Sequence, residues 1–111
     1  MPVQLHQAKA ELFRTLGHPV RIRVLELLQA GPKAVHELLA DIDVEPSNLS
    51  QQLAVLRRSG IVVSSRDGAT VRYSLGTSDV DDLMTAARRF LTDLLADQEE
   101  LLAELRLASQ A

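Results

Sequence analysis

Residues 46–60 read PSNLSQQLAVLRRSG. Leu49, Leu53 and Leu56 recur at the spacing of one helix face, and Pro46 (or Ser47) and Gly60 mark the ends. On or near the other side stand Ser47, Asn48, Ser50, Gln51 and Gln52. Such a face is ordinary on a solvated amphipathic helix. It also suits a helix that lies in the major groove of DNA. Asn and Gln can make paired hydrogen bonds to adenine, and Ser is a flexible donor and acceptor. The neighbouring sequence decides between the two.

Immediately downstream the period changes. IVVSSR at 61–66 is β-branched and extended, and Asp67-Gly68 is a hairpin turn signal, with a loop that can run on to Ala69. TVRYSL at 70–75 puts Val71, Tyr73 and Leu75 on one face and Arg72 on the other. Upstream, Val35, Leu38 and Leu39 mark a short helix at about 34–40, joined to the opening stretch by the polar connection DIDVEP. Two short helices, a tight connection and a two-stranded hairpin make a winged helix-turn-helix. The first helix braces the second, and the second presents its N-terminal polar residues to base edges. The hairpin sets Arg66 and Arg72 against the DNA backbone or minor groove, while Arg57 and Arg58 suit phosphate contact.

Further out, Leu5, Ala8, Leu12, Phe13 and Leu16 give a helix at 4–16 that Gly17 ends. Pro19 suits the first turn of the next helix, which carries Val20, Val24, Leu25, Leu27 and Leu28 and stops at Gly31-Pro32. After the hairpin, Thr77 or Ser78 caps a last helix, with Ser78-x-x-Asp81 resembling a capping box. That helix runs to about residue 107 and would be about 45 Å long. Its apolar positions include Leu83, Leu91, Leu94, Leu95, Leu101, Leu102 and Leu105. So small a body cannot hide so long a stripe, so the stripe is expected to pack on a second copy, together with the first helix. The expected fold is mostly α with a small β-hairpin. Residues 1–111 form a single winged helix-turn-helix domain: dimerisation helices at 1–16 and 78–108, helix-turn-helix at 34–60, wing at 61–75.

Composition is consistent with this. The chain has 111 residues, is 46% hydrophobic and 24% charged, and suits one globular domain. Aromatics at 3% argue against a stacking platform for single-stranded nucleic acid. The absence of cysteine excludes disulfides, thiolate metal sites and cysteine nucleophiles. No apolar run approaches the roughly 20 residues that span a bilayer, and no cationic-then-apolar leader opens the chain, so a cytoplasmic protein without a membrane partner is expected. The net charge of −3 is unevenly spread. Residues 1–33 net +3 and residues 57–75, with four arginines against Asp67, net +3 again; residues 34–56 net −4 and residues 76–111 net −5. A nucleic-acid footprint is a local patch, so the segment just after the opening stretch matters more than the total. No phosphate-binding glycine loop, nucleophile elbow or His-Glu-x-x-His is present, so no enzyme is expected.

Three segments, TLGHPVRIRVLELL at 15–28, VHELLADIDVEPSNLSQQLAVLRRSGIV at 35–62 and SRDGATVRYSL at 65–75, resemble the ArsR/SmtB family of bacterial transcriptional repressors. Ser47, Ser50, Gln51 and Leu53 match its recognition pattern, with Gln51 where many members have His, a change that bears on base preference. The resemblance implies a homodimer, an imperfect palindrome in double-stranded DNA as target, and repression often relieved by an effector. Two modules reading two half-sites also gain affinity and specificity over one.

Many members of the family sense metals. Their thiolate sites cannot exist here. Their site on the last helix aligns with Thr77, Asp79, Phe90 and Asp93, of which only the two carboxylates could coordinate. Borderline metals prefer imidazole or thiolate, so that site is degraded. His18 lies in Gly-His-Pro at a helix junction, where a polar capping residue is ordinary, and His36 is expected to be exposed on the bracing helix. A non-standard nickel or zinc site could still combine His6 or His18 with Asp79 or Asp93 across a dimer. The expected function is therefore a sequence-specific, DNA-binding repressor. Its site is Ser47, Asn48, Ser50, Gln51, Gln52, Arg57, Arg66 and Arg72, and its effector is undefined. The alternatives are a nickel or zinc sensor and a winged-helix module that binds protein.

Overall fold

The computed structural model describes residues 3–110. Eight elements follow in chain order: α1 (Leu5–Leu16), α2 (Pro19–Leu28), β1 (Lys33–Ala34), α3 (Val35–Asp41), α4 (Pro46–Arg58), β2 (Val62–Asp67), β3 (Thr70–Leu75) and α5 (Ser78–Gln110). They divide into two compact units, residues 1–81 and residues 82–111.

In the first unit the punctuation of the chain sets the helix ends. Gly17 N–H donates to Phe13 O at 2.8 Å and closes α1. His18 is the N-cap of α2: its Nδ1 accepts from Val20 N–H at 3.2 Å, and Pro19 follows in the first turn, where its missing N–H costs nothing. Glu37 caps α3 in the reverse sense, its Oε1 accepting from Ala34 N–H at 2.9 Å.

The core of this unit is aliphatic. Val24, Leu25 and Leu28 of α2, Leu38 of α3, Leu49, Leu53 and Leu56 of α4, and Ile61 and Val62 at the root of β2 are all buried. α2 packs on α4, and α4 on β2. A fully buried side chain of this size contributes about 1.5–3 kcal/mol by leaving water. No buried side-chain nitrogen or oxygen among the described residues lacks a hydrogen-bond partner.

The expected hairpin is part of a three-stranded antiparallel sheet in the order β1-β3-β2. The added strand, β1, pairs Lys33 with Tyr73 and Ala34 with Arg72. β2 and β3 pair from Val62 with Leu75 out to Asp67 with Thr70. Gly68 and Ala69 therefore form a two-residue loop, and Asp67 is its last strand residue. Gly68 has φ 65°, while no non-glycine residue described has positive φ. A positive φ at only the first loop position fits the II′ turns that hairpins favour.

Gly76 anchors the root of this wing. Its N–H donates to Ile61 O at 2.8 Å. A Cβ at Gly76 would overlap the carbonyl oxygen of Gly60, so the chain leaving β3 passes the chain entering β2 at a separation only glycine allows.

The second unit is helical. α5 as a whole has 33 residues, three beyond the expected end. Leu91, Leu94, Leu95, Leu101, Leu102 and Leu105 are 41–59% exposed. No helix among the described residues is long and apolar enough to cross a membrane.

Candidate nucleic-acid interface

α4 is held by three leucines that bury completely or nearly so, which fixes the rotation of the helix about its own axis. That rotation decides which polar side chains face outward. Ser47, Ser50 and Gln51 are exposed. Asn48 and Gln52, also expected on the reading face, are half-buried and already engaged. Gln52 Nε2 donates to Asn48 Oδ1 at 2.9 Å, and Gln52 Oε1 accepts from Arg21 Nε at 2.8 Å. Arg21, on α2, also donates from Nη1 to the carbonyl oxygen of Thr15, at 3.0 Å. A chain of hydrogen bonds thus links the end of α1, the start of α2 and the first turns of α4.

Sequence reasoning missed Arg21. It stands between Val20 and Ile22 and has no acid three or four residues away, whereas Arg23 has Glu26, with a nitrogen–oxygen separation of 3.9 Å. An arginine without a helical ion-pair partner was the only local signal that its partner lies elsewhere.

At the other end of α4, Arg57 and Arg58 are exposed in the last turn, where positive charge also favours the helix dipole. The two wing arginines differ. Arg66, on β2, is exposed. Arg72, on β3, is half-buried; its Nη1 donates to Glu37 Oε1 at 3.0 Å, and its Nε lies 3.7 Å from Asp67 Oδ2. The hydrogen bond from Ala34 N–H holds the Glu37 carboxyl below the usual carboxylate range; desolvation opposes it, and the Arg72 guanidinium adds to the lowering. Arg72 therefore sits between two carboxylates, tying the wing to α3.

His6 is exposed on α1, and Asp79 and Asp93 are exposed on α5. His18 uses Nδ1 to cap α2. Asp81, two residues from Asp79, accepts from Gln29 Nε2 at 2.8 Å. Among the described residues no group of three or more His, Cys, Asp or Glu could hold a metal ion.

Residues 18–64 match the model of the arsR family of bacterial regulatory proteins, a span that runs from the cap of α2 into β2. The uncharacterised HTH-type transcriptional regulator Rv0081 of Mycobacterium tuberculosis is 47% identical over 108 residues, covering 96% of this chain and 95% of that protein. Its crystal structure superposes with a TM-score of 0.80 and 48% identity, over 87% of this chain and 98% of that one. The transcriptional repressor BigR of Xylella fastidiosa superposes with a TM-score of 0.68 at 36% identity, over 78% of this chain and 86% of its own. With the helix-turn-helix, the wing and nearly the whole length in common with such proteins, this chain belongs to the ArsR family of helix-turn-helix transcriptional regulators.

Proposed function

We propose that the chain works as a homodimeric repressor that binds an imperfect palindrome in double-stranded DNA, one α4 to each half-site. The observation that carries this reading is the division of α4. Its leucines are sealed in the core, and Ser47, Ser50 and Gln51 stand exposed at its N-terminal end. A groove-reading helix needs that combination of a fixed axis and a free polar end. Arg57, Arg58 and Arg66 are exposed cations suited to phosphate, which positions a protein on the duplex without reading sequence. The exposed leucines of α5 support dimerisation, and the repressor from Xylella fastidiosa supports repression as the sign of control.

The deciding experiment is a salt titration of binding to a duplex selected from a randomised pool and to an unselected duplex. Both affinities should fall with salt, with a logarithmic slope of about −0.9 for each phosphate contact. The selected duplex should hold its advantage throughout. Equal binding of the two duplexes would refute sequence-specific reading, and binding indifferent to salt would favour a protein-binding module. Calorimetric titration with nickel and zinc tests for a metal effector. Sub-micromolar binding, lost on replacing His6, His18 or Asp79, would assign one.

A further inference from the structure

We infer that Arg21 is a positioning residue that fixes which face of the Asn48 amide is offered to DNA, an inference that rests on α4 reading bases. The guanidinium has donors and no acceptor. Gln52 must therefore turn its oxygen to Arg21, and does so at 2.8 Å. Its amide nitrogen is then left to face Asn48, whose Oδ1 accepts at 2.9 Å. With that oxygen engaged, the Nδ2 hydrogens of Asn48 make none of the described hydrogen bonds. The polarity is passed along from a residue that cannot be reversed, so neither amide is free to flip. The second contact of Arg21, Nη1 to the carbonyl oxygen of Thr15 at 3.0 Å, holds the guanidinium from the other side. A carbonyl at the end of α1 thereby sets the orientation of a side chain at the start of α4.

The consequence is a base preference. An unrestrained Asn can pair with adenine through both its oxygen and its nitrogen. An Asn whose oxygen is engaged offers donors first. That favours a base edge made of acceptors, the N7 and O6 of guanine or the O4 of thymine. Ser50 and Gln51, both exposed, carry no such restraint in the described contacts.

The test compares Arg21→Ala, Gln52→Glu and the control Arg23→Ala, an exposed arginine of α2 outside this chain of bonds. Each variant selects duplexes from a randomised pool, alongside the unaltered protein. Arg21→Ala should lose preference at one base pair in each half-site, by about tenfold, while its affinity for unselected duplex and its salt slope stay unchanged. Gln52→Glu keeps an acceptor for Arg21 but has no hydrogen to give Asn48. It should lose preference at the same base pair without a lower melting temperature, which keeps the test valid if Arg21→Ala folds poorly. In the free protein, the side-chain amide resonances of Gln52 and Asn48 should move in Arg21→Ala and stay in place in Arg23→Ala.

Unmoved resonances, or unchanged preference in both network variants, would overturn the inference. So would a loss of salt slope with weaker binding to every duplex, which would make Arg21 a phosphate contact. If the resonances move but the unaltered protein selects no sequence, the base-reading function fails and takes this role of Arg21 with it. That failure is distinguishable because the hydrogen-bond chain itself survives.

Discussion

α4 and α5 carry leucines at similar spacing and treat them in opposite ways. Leu49, Leu53 and Leu56 of α4 are at most 2% exposed. The leucines of α5 from Leu91 to Leu105 are 41–59% exposed. Helical periodicity thus predicts that a stripe needs a partner and is silent about which chain supplies it. For α4 the partners are α2 and β2 of the same chain. For α5 the proposed partner is a second copy, and the two stripes should respond to mutation in different currencies.

Leu53→Ala should have the largest effect. Truncating a buried leucine costs about 2–5 kcal/mol, through lost transfer free energy and the cavity left behind. The melting temperature should drop by the same amount at all protein concentrations, and DNA binding should fall with the folded fraction. A drop that vanished at high concentration would place Leu53 in an interface and erase the contrast with α5.

Leu94→Ala should act through association. If Leu94 is buried between two copies, each copy loses up to about 1.5–3 kcal/mol at the interface. Sedimentation should then show the dimer constant weakened by about tenfold or more, since 1.4 kcal/mol is a factor of ten. Melting at low concentration, where monomer prevails, should change little. An unaltered association constant would remove α5 from the dimer contact.

The outward face of α4 should be almost silent in stability. Ser50→Ala with Gln51→Ala touches exposed side chains, and such changes usually stay within about 0.5 kcal/mol. The same pair should lower discrimination between selected and unselected duplex by about 1–3 kcal/mol for each base pair read. Loss of folding without loss of discrimination would reverse the roles given to the two faces.

Much of this was legible in the sequence because glycine and proline punctuate it. Gly17, Pro19, Gly31-Pro32, Pro46 and Gly60 place the end of α1 and both ends of α2 and α4 to within a few residues. β1 was not legible. Two residues have no periodicity, and Lys33–Ala34 is a strand only because β3, 38 or more positions on, pairs with it. The candidate site divides the same way. Ser47, Ser50 and Gln51 stand exposed where helical spacing puts them. Asn48 meets Gln52 four residues on, a spacing one helix face allows, but Gln52 and Arg72 are tied down by Arg21, 31 residues from Gln52, and by Glu37, 35 residues from Arg72. Local pattern reports a face. It carries no information on a hydrogen bond closed by the fold.

The wing gives the smallest expected effect and the finest test of that point. Arg72 is expected to lie against the DNA backbone or minor groove, and in the folded protein it also lies against Glu37 and Asp67. The Glu37 carboxyl is held below its ordinary range, first by the Ala34 N–H and then by Arg72. A carboxyl with a lower pKa in the folded than in the unfolded state stabilises the fold above the unfolded value. That contribution fades as pH falls through the folded one. The link between α3 and the wing should therefore be intact at neutral pH and weaken below the ordinary carboxylate range. Glu37→Gln keeps an oxygen for the Ala34 N–H and removes the charge. It should flatten part of the acid limb of the stability curve relative to the unaltered protein. At neutral pH it should strengthen binding to all duplexes alike, by a few-fold at most, because Arg72 is released and a negative charge is gone. The sign is the informative part. If Glu37→Gln weakens binding to every duplex, the carboxylate serves DNA binding by holding Arg72 in place. If the acid limb is unchanged, the ion pair contributes nothing to the fold, and the wing is held by its strand pairing and by Gly76 alone.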